Sequence, residues 1–323
     1  MSAPLGELAL GELAYEALRL AFIPWQRERR IAKEQERVRL ARFSSRVIAG
    51  GAHHSLVLRR DGRIACWGDN GSGQAPPAGV DGDFDAIAAG AHHSLALRRD
   101  GNIACWGCND EGQAPPAGVD GDFVAIAAGN WHSLALRREG GIACWGHNDH
   151  GRAPPGGVDG DFVAIAAGFQ HSLALRRDGR IACWGYNDHG QAPPAGVDGD
   201  FVATAAGGWH SLALRRDGNV ACWGRNDHGQ APPGGVDGDF VAIAAGDYHS
   251  IALRRDGGVA CWGANDEGQA PPAGIDGDFV AIAAGYHHSL ALRRDGRIAC
   301  WGLNHYGQAP PGGVAGPFGH VDV

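Results

Sequence analysis

"AAGNWHSLALRREGGIACWGHNDHG", residues 127–151, sets His and Trp side chains around glycine-rich bends, and nearly the same phrase stands six more times in the chain. Registered on the His-Ser pair, the copies place His54, His93, His132, His171, His210, His249 and His288 at a constant spacing of 39 residues. A period of about 20–50 residues marks a repeat architecture. Within one unit, "FVAIAAG" is a short apolar run, "HSLALRR" alternates apolar and polar residues, and "IACWG" is again strand-like. "RRDG" supplies a turn, and "QAPPAGVDGD" opens as a proline-bearing, edge-type segment. Three good strands and a weak fourth are therefore expected per unit. Helical repeats are excluded, because an interior Gly or Pro costs a helix about 1–3 kcal/mol, and the chain carries 53 Gly and 17 Pro. The expected fold is all-β, a seven-bladed β-propeller: small sheets in sets of roughly four to eight close into rings, and neither end carries a capping repeat.

The ends of the repeat array point to closure. "SRVIAGG" (45–51) keeps the Ile-Ala part of the first strand but has Ser45 where other copies have Phe, while "GPFGHVDV" (316–323) keeps Phe318 and lacks "IAAG". These complementary halves predict that 45–51 and 316–323 pair in one blade, making 45–323 the propeller. Residues 1–44 differ in kind. "PLGELALGELAYEALRLAFI" has the spaced Leu and Ala of an amphipathic helix, Pro24 breaks it, and "WQRERRIAKEQERVRLARF" resumes as a basic helix. This two-helix arm is expected to pack on the propeller or on a second copy, giving an oligomer. Attachment of its basic face to a membrane is the less favoured reading.

The formal charge is -8 over 323 residues. Residues 1–46 carry nine Arg or Lys against six Glu, a net of +3, so the remainder carries -11. No nucleic-acid partner is expected, because phosphate binding rests on clustered Lys and Arg. Glu7, Glu12 and Glu16 interrupt the N-terminal apolar stretch, and no run spans a bilayer, so a cytoplasmic location is expected. Seven of the eight Cys hold one identical place per repeat. Symmetry keeps such thiols apart, which makes them small core residues in a reducing compartment.

The pattern "AAGxxHSLALRRDGxIACWGxNxxGQ" closely resembles the repeat of the regulator of chromosome condensation superfamily over residues 46–323. The resemblance implies a seven-bladed propeller. The short unit with "QAPP" is most similar to compact bacterial members such as β-lactamase-inhibitor protein II, which binds its enzyme with one propeller face. The founding member exchanges nucleotide on the Ran GTPase through a wedge inserted in one blade; all seven units here keep one length, so that activity is not expected. Plant ultraviolet receptors of the family use clustered tryptophans, and Trp131 and Trp209 alone do not reproduce the cluster.

An active site needs unlike groups at one place, and residues repeated around a ring supply the opposite. The His-Ser pairs, the "CWG" tryptophans and the Arg-Arg pairs therefore read as scaffold, and no enzyme, cofactor or metal is expected. The "DGD" loops read as turns beside the Arg-Arg pairs, and "HNDH" (147–150) offers only half a zinc site. Information lies where the copies disagree: the two residues before each His, the residue after "WG", and the loop just beyond it. In an up-and-down blade these positions gather on one rim. They hold His53, Asp69, His92, Cys108, Trp131, His147, His150, Phe169, Gln170, Tyr186, His189, Trp209, Arg225, His228, Tyr248, Glu267, Tyr286, His287 and Tyr306. Aromatic residues and Arg give large contact area for few frozen torsions, so this rim is the expected binding surface of a non-enzymatic protein-binding scaffold. An enzyme-inhibiting propeller, or one binding a carbohydrate or other small ligand at the central mouth, are the alternatives.

Overall fold

The computed structural model describes residues 28–29 and 31–318. Seven three-stranded antiparallel sheets follow one another along the chain, preceded by a helix over 31–47. The first sheet joins Ile48–Gly50, His54–Leu58 and Ile64–Gly68, the second joins Phe84–Ala89, His93–Arg98 and Ile103–Gly107, and the series runs to Phe279–Ala284, His288–Arg293 and Ile298–Gly302. The weak fourth strand is a single residue. Val80 bridges Ile64, Val119 bridges Ile103, and so on to Val314 against Ile298. Two consecutive prolines in "QAPP" remove two ladder donors, so the outer edge pairs once and then turns.

Each middle strand lies between two partners and two neighbouring sheets, and Leu95, Leu134, Leu173 and Leu212 are fully buried there. Each first strand ends in small residues because seven of them converge on one axis. A Cβ on Gly90 would stand 2.3 Å from the His93 ring and 2.5 Å from the Gly129 carbonyl oxygen, so glycine alone fits.

The repeated polar residues join the sheets. His54 Nε2 lies 2.9 Å from Ser94 Oγ, and the bond recurs between neighbouring sheets until His288 reaches Ser55 at 3.0 Å. Each serine hydroxyl donates to the carbonyl of a Gln, or of Arg152 in one sheet, and that carbonyl also accepts the Trp Nε1–H. The serine oxygen is thus left to accept, which puts the histidine proton on Nε2. Burial holds six of these imidazoles down to about 3 and His132 well below its usual value, so all seven are neutral. The seven framework cysteines are free and half-buried or buried, and burial pushes their thiols up to about 12. In five sheets the first Arg of the Arg-Arg pair lies over the Phe ring, as Arg98 does over Phe84, and in six the second pairs with the last Asp of "DGD", as Arg138 does with Asp122.

In six sheets the opening Phe pairs with the Arg ending the middle strand, the register then shifts, and pairing resumes two residues on; Phe84↔Arg98 and Ala86↔Leu97 are one case. In the first sheet Phe318 stands opposite Arg59, and Ile48 resumes opposite Val57. Among the described residues, Phe318 and the strand from Ile48 thus lie end to end along one middle strand. The break between them falls at the bulge, where the ladder is interrupted in every sheet. The helix continues through 47, past the expected boundary at 44. Phe318 fills the place Ser45 leaves vacant, so residues 44–47 are free to finish the helix, and Val47 packs with Ile48, Phe84, Val280, Leu290 and Phe318.

The helix crosses the axial mouth at the "RRDG" end. Its buried face is Arg37, Ala41, Ser44 and Val47, at three- and four-residue spacing. Arg37 Nε donates to the Phe240 carbonyl at 2.8 Å, and the same guanidinium reaches the Arg216 carbonyl and, at 2.6 Å, Asp239. Ser44 bonds both the N–H and the C=O of Ile282, at 2.8 and 3.0 Å, and Arg46 donates to the Val124 carbonyl. The first expected helix and Pro24 lie outside the described residues, as do 319–323. Among the described residues no helix is long and apolar enough to cross a membrane.

Candidate binding rim

Each sheet brings its two variable loops together by one backbone bond. The residue after "WG" donates its N–H to the carbonyl of the residue before His: Asp69 to His53, Cys108 to His92, His147 to Trp131, Tyr186 to Gln170, Arg225 to Trp209. The Asn of every copy and the Gln of six hold the second loop, as Asn187 Oδ1 accepts from Ala192 N at 2.7 Å and Gln191 Oε1 from His189 N at 3.0 Å. A rigid frame thus presents the residues that differ.

Their rings form a connected array. His150 meets Tyr186 at 5.0 Å, Tyr186 and His189 meet Trp209 at 5.5 and 5.7 Å, and Trp209 stacks on Phe169 at 5.1 Å. Phe169 leads to Tyr286 at 6.1 Å, Tyr286 to His53 and His287, and His53 to Tyr306 at 5.1 Å. His287 continues to Tyr248, which contacts His228 and carries the Arg225 guanidinium 5.5 Å above its ring. His92 and Trp131, 5.3 Å apart, form a separate pair. Tyr306 is the one Tyr, Trp or Phe of the set that is exposed, at 56%.

Other expected residues are tied into the loops. Asp69 accepts from Gly71 N and Gln74 Nε2, Arg225 is held by Asp227 at 2.5 Å, and Glu267 is exposed beside His287. Cys108 is half-buried and donates to Asp110, and burial raises its thiol. His147 is clamped by Arg152 at 2.6 Å and Asp149 at 3.0 Å, while His150 turns away at a φ of 64°. No group of three metal-ligating side chains occurs among the described residues. Burial lowers His53 and His287, with Asp69 and Glu267 opposing the shift.

The residues two places before each His surround the axis: Ala52, Ala91, Asn130, Phe169, Gly208, Asp247 and Tyr286. Of these, sequence reasoning singled out Phe169 and Tyr286 and passed over Asn130 and Asp247. The signal was present, since this column holds six residue types against four in its neighbour. Tyr286 spans the mouth and its hydroxyl donates to Asn130 Oδ1. Burial, with Asp247 adding to it, raises the Tyr286 phenol well above its usual value. Burial also pushes the Asp247 carboxyl up to about 6, with Arg225 opposing. Beneath lies an axial cavity of about 220 Å³ lined by the Ala and Gly of all seven first strands, with the Ile of six and Thr204 of the seventh.

A family model described as the regulator of chromosome condensation (RCC1) repeat matches residues 46–74, 84–113, 123–152, 162–191, 201–230, 240–269 and 279–308. No curated protein matches the chain. Among solved structures, the CRINKLY WD40 ectodomain of the Arabidopsis thaliana receptor kinase ACR4 is similar at a TM-score of 0.66 and 24% identity, covering 83% of this chain and 98% of that one. The Physcomitrella patens receptor kinase CR4 ectodomain gives 0.64 and 25%, over 80% and 72%. Yeast RCC1 (Prp20), solved with Kap60 bound, gives 0.58 and 23%, over 69% and 71%.

Proposed function

The chain belongs to the regulator of chromosome condensation (RCC1) repeat family, and from that premise we propose that it is a non-enzymatic scaffold that binds a protein partner through its variable rim. The observation that carries this reading is the connected array from His150 through Trp209, Phe169 and Tyr286 to His53 and Tyr306. Neutral drift scatters small polar residues over both ends of a propeller. Here most of the differences fall on one end, with a smaller set just after "RRDG", and that end concentrates Tyr, Trp, His and Arg, the types that dominate interface energetics. Rigid loops on a closed ring also lower the ordering cost of association. Protein binding is the coarse property that yeast RCC1, solved with Kap60, exemplifies.

The test is capture from host lysate by the intact chain beside a variant with Trp131, Tyr186, Trp209, Tyr248 and Tyr306 changed to Ala. A partner retained by the intact chain and lost by the folded variant is the expected result. Equal capture by both removes the rim from consideration and leaves the helix face.

A further inference from the structure

Among the described residues one buried carboxylate oxygen, at the mouth of the aromatic array, has no partner. Asp247 is 8% exposed, lines the axial cavity at its rim end, and its Oδ1 has no hydrogen-bond donor. A buried carboxylate without a partner is costly and is retained where something else compensates it. Arg225, the cation that acts on it, is already bonded to Asp227 and stacked on Tyr248. The neighbouring first-strand ends make room for this carboxylate. A Cβ on Gly208 would fall 1.8 Å from Asp247 Oδ1, so the sole glycine of that column lies directly beneath it. Phe169 and Tyr286 flank the same mouth, and below it the wall is Ile, Ala and Gly with one hydroxyl, that of Thr204, which is bonded to the Leu212 carbonyl, down to Ser45 at the helix.

We propose that the rim end of the axial cavity is a binding site for a cationic nitrogen, ammonium or guanidinium, carried on a short apolar stem. Asp247 Oδ1 accepts from the nitrogen, Phe169 and Tyr286 present ring faces to the charge, and the stem follows the Ile- and Ala-lined wall. The size fits. A dry apolar cavity of about 150 Å³ holds a benzene, and the 220 Å³ here holds a chain of a few carbons with its head group but not a drug-sized ligand, which needs roughly 300 Å³ or more. Such a group comes either from a lysine or arginine side chain of a bound protein or from a free small amine.

Calorimetric titration of the intact chain at pH 7.5 with n-butylammonium, with n-butanol as the neutral isostere and with N-acetyl-lysine methylamide, tests the site. Butylammonium is expected to bind at least tenfold more tightly than butanol. Asp247→Asn, which removes the charge and keeps the shape, is expected to abolish that difference, and Gly208→Ala to weaken binding by displacing the carboxylate. Binding of the capped lysine as tight as that of butylammonium identifies a side chain as the occupant; binding of butylammonium alone identifies a free amine. Equal affinity for butanol, an Asp247→Asn protein that binds as before, or no heat from either amine overturns the proposal. None of these readouts involves the outer rim residues changed in the capture experiment, so the two readings fail separately.

Discussion

At the residue scale, Asp247 sets stability against occupancy. Its folded carboxyl titrates at about 6 against an ordinary value near 4. A raised folded value contributes stability that is complete below the unfolded pKa and is lost as pH rises through the folded one. At neutral pH the ionised group therefore destabilises the native chain. Asp247→Asn should raise stability at pH 7.5 by about 1–3 kcal/mol and change little at pH 4, read as the urea midpoint at the two pH values. A variant that loses stability at pH 7.5 would mean that the carboxylate has a protein partner. The contrast with the repeated residues is instructive. His93 and Ser94 recur in every copy because each bonds the next sheet, and their role was legible from repetition alone. Asp247 occurs once in its column, so its meaning depends on which residues six other copies place around it, and no local pattern carries that.

At the scale of the element, the strands were legible and the helix only half so. "HSLALRR" and "IACWG" are short strand-like runs bounded by turn signals, which fix strand type without reference to the rest of the fold. The 31–47 helix was legible as a basic amphipathic segment, but its seat was not, because docking depends on backbone carbonyls that the strands leave free. Arg37, 4% exposed, is the case in point: its partners are the carbonyls of Phe240 and Arg216, which any side chains at those positions would offer. Arg37→Met keeps the stem and deletes the donors, taking that donor from two carbonyls in a crowded site while Asp239 keeps Arg255 at 3.0 Å. A loss of about 2–4 kcal/mol is expected, against a change within about 0.5 kcal/mol for Arg42→Ala on the exposed side of the same helix. Thermal melts of the two variants check this. Equal effects would mean that the helix rests on the propeller without being fixed there by Arg37.

At the scale of the whole molecule, closure makes the seven imidazoles one set. Each His–Ser bond ties two sheets, and the bond from His288 to Ser55 completes the circle across the chain ends, beside the Phe318–Arg59 bridge. That the ends complement one another was readable from Ser45 and Phe318; that they meet at a bulge was not, since the register shift appears only once the strands are paired. Burial holds six of these histidines down to about 3 in the folded ring and His132 well below its usual value, against about 6.5 when unfolded. Below pH 6.5 the unfolded chain therefore takes up protons that the native ring refuses, and stability falls as pH falls through that window. Each histidine contributes a slope of up to about 1.4 kcal/mol per pH unit, and seven act together because no sheet can open without its neighbours. The urea midpoint should therefore drop steeply between pH 6.5 and 5, above the range where exposed carboxylates titrate. Replacing His210 by Gln, which can still donate to Ser250, should make the slope shallower by about one histidine's share. A midpoint that stays flat from pH 7.5 to 5 would show that the imidazoles are protonated in the folded ring, and with it that the serine oxygens are not their only partners.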